Sequence, residues 1–323
     1  MEALDVNDEP KLLGVQMVIY DRPAVFWSFN QEALQLAFLQ GLDPEYFLYQ
    51  AETHRLQLDG TQDLYAATAI RTTYSHALET LFALIGAALQ APACPAGWLL
   101  QYKFYELTQL VTSISGEQRL LNRLGLEFTS WSKIAAVTTP WSADEDLVKD
   151  HQSATSLLWQ TLATDFLSAD FQDEYNSIKH GLRVRTGSWF FAMGTEVTPG
   201  VPTPPENMKT LSNEKHGSLF VQATYLDRKF QYALRTKRIN WNIPALHTRI
   251  PYVVHSIQNM ISFLLWRNGA PNDDLRGYLL SIAETGEALF KDGFTDGVNL
   301  NRIISPDWIE EVSRNEIIRS YPE

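Results

Sequence analysis

The spacing of apolar residues predicts that most of the chain is helical. In residues 62–90 the apolar positions recur at helical spacing, at Tyr74, Leu78, Leu81, Phe82, Ile85 and Leu89. This spacing places them on one face, so we predict one long helix over 62–90. Further helices are predicted at about 30–40, 44–56, 97–115, 117–123, 129–136, 143–167, 171–184, 244–267, 273–291 and 306–319.

Two regions change from the helical period to patterns typical of strands. Residues 11–28 alternate in part, which predicts either a short strand pair or an extended arm. Three later stretches are rich in aromatic and β-branched residues and predict antiparallel strands, at 189–193, 217–225 and 230–236. The proline-rich stretch 198–216 is predicted to be a loop.

Together these elements predict a mainly α protein, a helical bundle with a small antiparallel β-sheet insertion. We expect an N-terminal arm with short helices at 1–60 and a helical bundle core at 61–185. A β insertion is expected at 186–242, followed by C-terminal helices at 243–323 that pack on the bundle. We expect these parts to form one compact unit.

Composition is that of a soluble globular protein. The chain has 323 residues, of which 45% are hydrophobic, enough for a large core. A single cysteine, Cys94, excludes an internal disulfide and a cysteine-rich metal cluster. The N-terminus lacks a secretory signal, and no apolar run is long enough to span a membrane. We therefore expect a cytoplasmic protein without a membrane partner.

Charge is distributed unevenly along the chain. The net charge is −12, which on a uniform surface would repel nucleic acid. Residues 176–250, however, contain eleven Lys or Arg and four acidic residues, a balance of +7 that leaves −19 elsewhere. This region could be a basic face for phosphate or nucleic acid. Alternatively, it is a basic sheet edge protected from aggregation or docked on the acidic helices of the same protein.

The most distinctive residues lie on the predicted helix 171–184. Asn176, Lys179, His180 and Arg183 share one face of that helix, opposite an apolar face that includes Tyr175. An amide, an ammonium, an imidazole and a guanidinium together suit an anion such as phosphate. Histidine can also transfer protons near neutral pH.

A second set of polar residues lies on the predicted helix 62–90. His76 and Glu79 are close to Arg71 in sequence, beside the apolar face, and could meet His180 inside the bundle. Alternatively, His76 is a core histidine bonded to a carbonyl or to Glu79. Paired Glu-x-x-His sequences, typical of di-metal bundles, are absent, so we predict no metal site.

The segment Tyr-Asn-x-x-Lys-His-Gly at 175–181, in a helical setting, resembles the HEPN-like helical superfamily. The signature of that superfamily is an Arg, four to six residues and a His, with a polar residue often after the Arg. Asn176 to His180 matches the polar-to-His part, whereas Tyr175 stands in the place of the Arg. The resemblance extends over about 60–185.

The resemblance implies a metal-independent ribonuclease or a noncatalytic partner in toxin–antitoxin or antiphage systems, usually a homodimer, without a cofactor. His180 would be the acid or base, Lys179 and Arg183 would stabilise charge on the phosphorane, and Asn176 would orient the phosphate or the imidazole. We add Arg71 and Arg185 as phosphate-binding residues, with His76, Glu79 and Tyr175 in support.

The alternative function is a noncatalytic interaction or structural subunit of a regulatory or defence complex. In that case the Lys179-His180-Gly181 segment ends a helix, and the basic sheet docks on an acidic partner or on the protein's own helices. Sequences for a P-loop, a dinucleotide fold or a serine nucleophile elbow are absent, so those classes are not predicted.

Overall fold

The architecture is mainly α with two small antiparallel sheets. The computed structural model describes residues 12–139, 144–181, 183–196, 198–225, 231–282, 308–310 and 312–320. Helices predominate among these residues, as predicted. The finer prediction, a helical bundle, stays a prediction.

The helices begin and end close to the predicted positions in most cases. They are α1 (Gln31–Gln40), α2 (Glu45–Arg55), α3 (Asp63–Gln90), α4 (Pro95–Leu99), α5 (Phe104–Ser115), α6 (Trp131–Thr138), α7 (Glu145–Leu167), α8 (Ala169–Lys179), α9 (Ile243–Arg267) and α10 (Arg314–Ser320). Single 3-10 turns form at Pro205–Asn207 and Asn272–Asp274.

The strands form one hairpin and one four-stranded sheet. They are β1 (Leu13–Ile19), β2 (Arg22–Ser28), β3 (Val184–Met193), β4 (Lys209–Tyr225), β5 (Gln231–Trp241) and β6 (Trp308–Glu310). β1 pairs with β2, which confirms the strand pair that was one of the two expectations for 11–28. The second sheet has the order β3-β4-β5-β6, and every pair is antiparallel.

The chain divides into two units. Unit 1 comprises Met1–Leu56, Thr72–Ser168 and Pro244–Asp292, and unit 2 comprises Gln57–Arg71, Ala169–Ile243 and Gly293–Glu323. These boundaries differ from the four predicted parts in one important respect. Helix α8, expected in the bundle core, belongs to unit 2 together with the four-stranded sheet and the start of α3.

Unit 1 contains the long apolar face that the sequence predicts. Its six residues on α3 are all fully buried: Tyr74, Leu78, Leu81, Phe82, Ile85 and Leu89. Gly86, on the same helix, lies against the buried ring of Trp98. Because glycine has no Cβ, the indole can approach the helix backbone closely here. No helix among the described residues is both long and apolar enough to cross a membrane.

Unit 2 buries one face of its sheet most completely. On β4 the alternate residues His216, Ser218 and Phe220 are buried, and the intervening Gly217 is buried too. Their partners on β5 are buried as well: Trp241, Ile239 and Lys237. Side chains alternate between the two faces of a strand, so these residues all point to one side of the sheet.

The predicted loop 198–216 is wrong in its second half. From Lys209 onward these residues are the start of β4, with Lys209 paired to Met193 of β3. This part of β4 is mostly polar, so its side chains do not show an apolar alternation. Backbone hydrogen bonds to β3 define the strand instead, and such pairing leaves no signal in a single sequence.

Three predicted helices differ from the structure near the middle of the chain. The helix at 97–115 is two helices, α4 and α5, because Lys103 is extended (φ −108°, ψ 149°) and its N–H donates to Glu106. The stretch 117–123 is not helical, and Glu117 has a φ of 51°. The helix 171–184 ends early, at Lys179.

The two predicted C-terminal helices also change. Residues 275–281 of the predicted helix 273–291 are irregular, and 283–291 lie outside the described residues. In the predicted helix 306–319, Trp308–Glu310 is strand β6 and only Arg314–Ser320 is helical. The described part of β6 pairs with β5, which explains why its apolar residues are extended and not helical.

Candidate functional site

The predicted cationic residues lie where α8 ends and β3 begins, in unit 2. Lys179, His180, Arg183 and Arg185 are all exposed, and we call them the cationic segment. The turn between helix and strand is ordered by backbone hydrogen bonds. The N–H of His180 donates to Asn176 O at 3.1 Å, and the N–H of Arg183 donates to Ser177 O at 2.8 Å.

Gly181 ends the helix in this turn. Its φ is +111°, a region that residues with a Cβ rarely adopt. As a result, the prediction of one helical face from Asn176 to Arg183 is wrong, because His180 and Arg183 lie beyond the last helical residue, Lys179. The C-terminal end of a helix carries partial negative charge, which favours cations at this position.

The aromatic ring of Tyr175, one turn before the end of α8, contacts the cationic segment. Tyr175 is buried, as predicted for the apolar face of α8. The Lys179 ammonium lies 5.3 Å from the centroid of the Tyr175 ring. This is within the range of a cation–π contact. Asn176 is partly buried one turn away.

Arg71 occupies a different place from the cationic segment. It is buried in unit 2, where its Nε donates to Glu174 Oε2 at 2.8 Å and its Nη2 lies 2.7 Å from the same oxygen. The other oxygen of Glu174 accepts hydrogen bonds from Ser218 Oγ and from Trp241 Nε1. We call these four residues the Glu174 hub, and all of them are at most 2% exposed.

The Glu174 hub has a structural role. Its residues come from α3, α8, β4 and β5, so one carboxylate ties four elements of unit 2 together. The Arg71 guanidinium also lies 4.8 Å from the centroid of the Phe171 ring. Since Arg71 is buried and bonded in this way, we leave it out of the phosphate-binding set.

Lys237, a buried cation of the sheet, is neutralised by two aspartates of α8. Lys237 Nζ lies 3.0 Å from Asp170 Oδ1 and 2.6 Å from Asp173 Oδ2. Burial alone would lower the pKa of Lys237, but the hydrogen bonds that its ammonium donates to the two carboxylates outweigh burial and raise that pKa. This pairing matches one of the two alternatives for the basic region, a sheet docked on acidic helices.

Lys215 and His216, near the middle of β4, contact a carboxylate in the same manner. Asp63, the first residue of α3, accepts a hydrogen bond from the Asp59 N–H at 3.0 Å. It also lies 2.9 Å from Lys215 Nζ and 2.9 Å from His216 Nε2. Burial would raise the pKa of Asp63, but these three partners lower it to about 2.

No protein-family model, no curated protein and no solved structure matches the chain. The function of the cationic segment therefore has to be inferred from its own geometry. Within the described ranges, no group of three or more His, Cys, Asp or Glu side chains is arranged to hold a metal ion.

The two other supporting residues, His76 and Glu79, belong to unit 1. His76 is exposed, so the alternative of a core histidine is wrong. Glu79 is buried and accepts a hydrogen bond from Tyr102 Oη at 3.2 Å. Burial and the Glu79 charge together raise the pKa of Tyr102.

Sequence reasoning missed the hub residues Glu174, Ser218 and Trp241. A signal for Glu174 exists in retrospect. It lies three residues after Phe171, four before Ile178 and next to Tyr175, on the apolar face of α8. A carboxylate on a buried face requires a cationic or hydrogen-bonding partner, since an unpaired buried charge is costly. Ser218 and Trp241 carry no comparable signal.

In chemical terms the cationic segment can bind anions. It presents charged side chains on a fixed turn, and its positive charge is not cancelled by a described carboxylate at His180, Arg183 or Arg185. Within the described parts of the chain, no side chain is hydrogen-bonded to the His180 imidazole. The geometry thus supports anion binding more directly than general acid–base catalysis.

Proposed function

We propose that the protein binds single-stranded RNA through the cationic segment, as a HEPN-like helical-bundle protein of the cytoplasm that forms a homodimer. One observation carries the proposal. The sheet cations Lys215 and Lys237 are paired with aspartates, whereas His180, Arg183 and Arg185 stay exposed on an ordered turn. Local positive charge on a chain of net charge −12 is the electrostatic footprint of a phosphate contact.

The physics of this contact predicts a strong dependence on salt. Each phosphate neutralised by Lys or Arg releases condensed counterions, with a slope of about 0.7 per phosphate for single strands. The largest possible slope is set by the number of exposed Lys and Arg in the segment, which are Lys179, Arg183 and Arg185. The acidic remainder of the chain opposes binding, so the affinity falls quickly as salt increases.

Cleavage of the bound RNA is a further part of the proposal. In a metal-independent cut, His180 would serve as acid or base, Lys179 and Arg183 would stabilise the phosphorane, and Asn176 would orient the phosphate or the imidazole. An exposed imidazole without an orienting side chain is a poor catalyst, so we rank binding before cleavage.

Fluorescence anisotropy with a labelled RNA of mixed sequence tests binding. The protein and its Arg183→Ala/Arg185→Ala variant are titrated at roughly 50 and 200 mM salt. We expect the variant to bind more weakly and to lose about 1.4 from the slope of log affinity against log salt. The matched control is Lys149→Ala, since Lys149 is an exposed lysine on α7 in unit 1. Equal affinity of all three proteins refutes the proposal.

Incubation of the same RNA with EDTA separates cleavage from binding. If the protein cleaves and His180→Ala does not, His180 carries a metal-independent reaction. If neither protein cleaves while both bind, the binding function stands without catalysis.

A second candidate function is a noncatalytic interaction or structural subunit of a regulatory or defence complex. The β1–β2 hairpin favours it, because Trp27 on β2 and Phe29, the residue after β2, are 60% and 63% exposed. The described hairpin has two strands, and pairing with the hairpin of a second copy would extend it to four. Sedimentation of the protein and of Trp27→Ser tests this, with a dimer in the first and a monomer in the second as the expected result.

A further inference from the structure

An extended segment after α9 is held by side chains of two helices in unit 1. We call Arg276–Leu280 the strap. Ser262 Oγ donates to the Arg276 carbonyl at 2.6 Å and accepts from the Arg276 N–H at 3.0 Å. Asn259 Nδ2 donates to the Tyr278 carbonyl at 2.9 Å, and its Oδ1 accepts from the Tyr278 N–H at 2.7 Å.

The same alternation continues onto α7. The N–H of Leu280 donates to Nδ1 of His151 at 2.8 Å. The bonded positions, 276, 278 and 280, are every second residue, as in a strand that pairs with a neighbour. Here side chains of α9 and α7 take the place of the neighbouring strand. The groove formed by Ser262, Asn259 and His151 therefore recognises an extended backbone.

The three receptor side chains are almost completely buried. Ser262, Asn259 and His151 are 0%, 2% and 1% exposed. Buried polar groups need hydrogen-bond partners, and the strap backbone supplies partners to all three.

Few side chains of the strap contribute to recognition. Leu279 is 50% exposed, whereas Leu280 is 5% exposed and is the apolar anchor. The ring of Tyr278 stacks on His255, with 4.1 Å between the ring centroids and 9° between the planes. The groove thus selects an aromatic residue and, two positions later, a leucine, and otherwise binds the backbone.

Buried polar atoms on both α9 and α7 have no hydrogen-bond partner. One is Ser256 Oγ, one turn before Asn259 on α9. Another is Nε2 of His151, which is also buried without a hydrogen-bond partner. Each such group costs free energy when it is left unpaired. A ligand whose polar groups reach these two atoms would recover that cost, which the strap does not.

From these observations we propose that the groove is a receptor for an extended segment of a partner protein, with an aromatic-x-Leu pattern. The strap occupies the groove within the same chain and competes with that segment. A tethered segment has an effective concentration of about millimolar, so a free peptide of equal intrinsic affinity binds the unaltered chain poorly. Weakening the strap should open the groove.

A labelled peptide with the sequence of residues 273–282 is the probe, titrated against the full chain. Tyr278→Pro removes the N–H that donates to Asn259 and the ring that stacks on His255. We expect this variant to bind the peptide at least about tenfold more tightly than the unaltered chain. Leu279→Ala is the matched control, since this exposed strap residue should leave the affinity unchanged.

Two further measurements secure the test. Adding Asn259→Leu to Tyr278→Pro should abolish binding, because the peptide loses both hydrogen bonds to the amide. With the unaltered chain, excess peptide should accelerate hydrogen exchange of the strap amides. Failure of the peptide to bind Tyr278→Pro, together with unchanged strap exchange in the unaltered chain, overturns the proposal. So does binding that survives Asn259→Leu.

Discussion

The carboxylate of Glu174 and the guanidinium of Arg71 form a two-point ion pair, at 2.8 and 2.7 Å, with each residue 1% exposed. The two residues are 103 positions apart in sequence. Taking both charges out of water is costly, and the Ser218 and Trp241 hydrogen bonds to the second oxygen help to offset that cost. The pair is therefore sensitive to the loss of either member.

Glu174→Gln should destabilise the protein strongly. The amide has nearly the shape of the carboxylate but no charge, so the buried Arg71 guanidinium loses the charge of Glu174. We expect a loss of about 3–5 kcal/mol in the free energy of unfolding, measured by urea denaturation followed by circular dichroism. The control is Glu145→Gln, since Glu145 is 89% exposed and lies 3.7 Å from Lys149. Its effect should stay below about 0.5 kcal/mol.

The close contact between α3 and Trp98 gives a second prediction. A Cβ added at Gly86 would lie 2.6 Å from Cζ2 of Trp98, and the indole is fully buried. Gly86→Ala removes a helix-interior glycine, which favours the helix by about 1 kcal/mol, but it forces the ring to move. We expect a net loss of about 1–3 kcal/mol in the free energy of unfolding.

A double variant shows whether the clash is the cause. Trp98→Phe shortens the ring, so Gly86→Ala should be less destabilising in that background than alone. Equal effects of Gly86→Ala in both backgrounds would show that Trp98 is not the obstacle.

The elements that the sequence predicts well are those defined by local patterns. The face of α3 is apolar at every helical repeat, and its bounds agree within one residue with 62–90. The end of α8 was predicted too late, although Gly181 is visible in the sequence, because Leu182 continues the apolar spacing. A glycine in a positive-φ conformation ended the helix before that residue.

The parts that the sequence does not predict depend on distant partners. The strap was predicted as a helix, but buried side chains at 262, 259 and 151 bond its backbone in an extended form. Arg71, a predicted phosphate ligand, is instead buried against Glu174. This partner lies on another helix, 103 positions away in sequence. A single sequence does not show which of its polar residues meet.

The bond between His151 and Leu280 predicts a loss of stability in mild acid. Burial lowers the pKa of His151 below its usual 6.5, although the nearby Asp150 opposes this. The unfolded state therefore binds a proton first as pH falls. The contribution to stability is complete above about pH 6.5 and declines below it, by at most about 1.4 kcal/mol per pH unit, until the folded state is also protonated.

His151→Asn isolates this contribution. The asparagine oxygen can accept from the Leu280 N–H but does not titrate. Urea midpoints at roughly pH 7.5 and 5.5 should fall further for the unaltered protein than for the variant. The other histidines are common to both proteins and cancel in the comparison. An equal drop in the two proteins would contradict the prediction.

The final prediction concerns Asp63 at strongly acidic pH. Its pKa is lowered from 3.8 to about 2 by the Asp59 N–H, Lys215 and His216, against the opposing effect of burial. The folded state thus releases the proton more readily than the unfolded state. The stabilisation is complete above about pH 4 and is lost as pH falls toward 2. Because Lys215 is more than half exposed, solvent reduces the contribution to about 1–2 kcal/mol.

Asp63→Asn should remove this stabilisation at pH 7 and flatten the dependence of stability on pH between about 4 and 2. Asp59→Asn is the matched control: its side chain is 86% exposed and also contacts Lys215, but it does not contact His216. Its effect should stay within about 0.5 kcal/mol. If the two variants lose equal stability at pH 7, the contact with Lys215 that they share accounts for the effect, and the partly buried position of Asp63 at the start of α3 contributes nothing of its own.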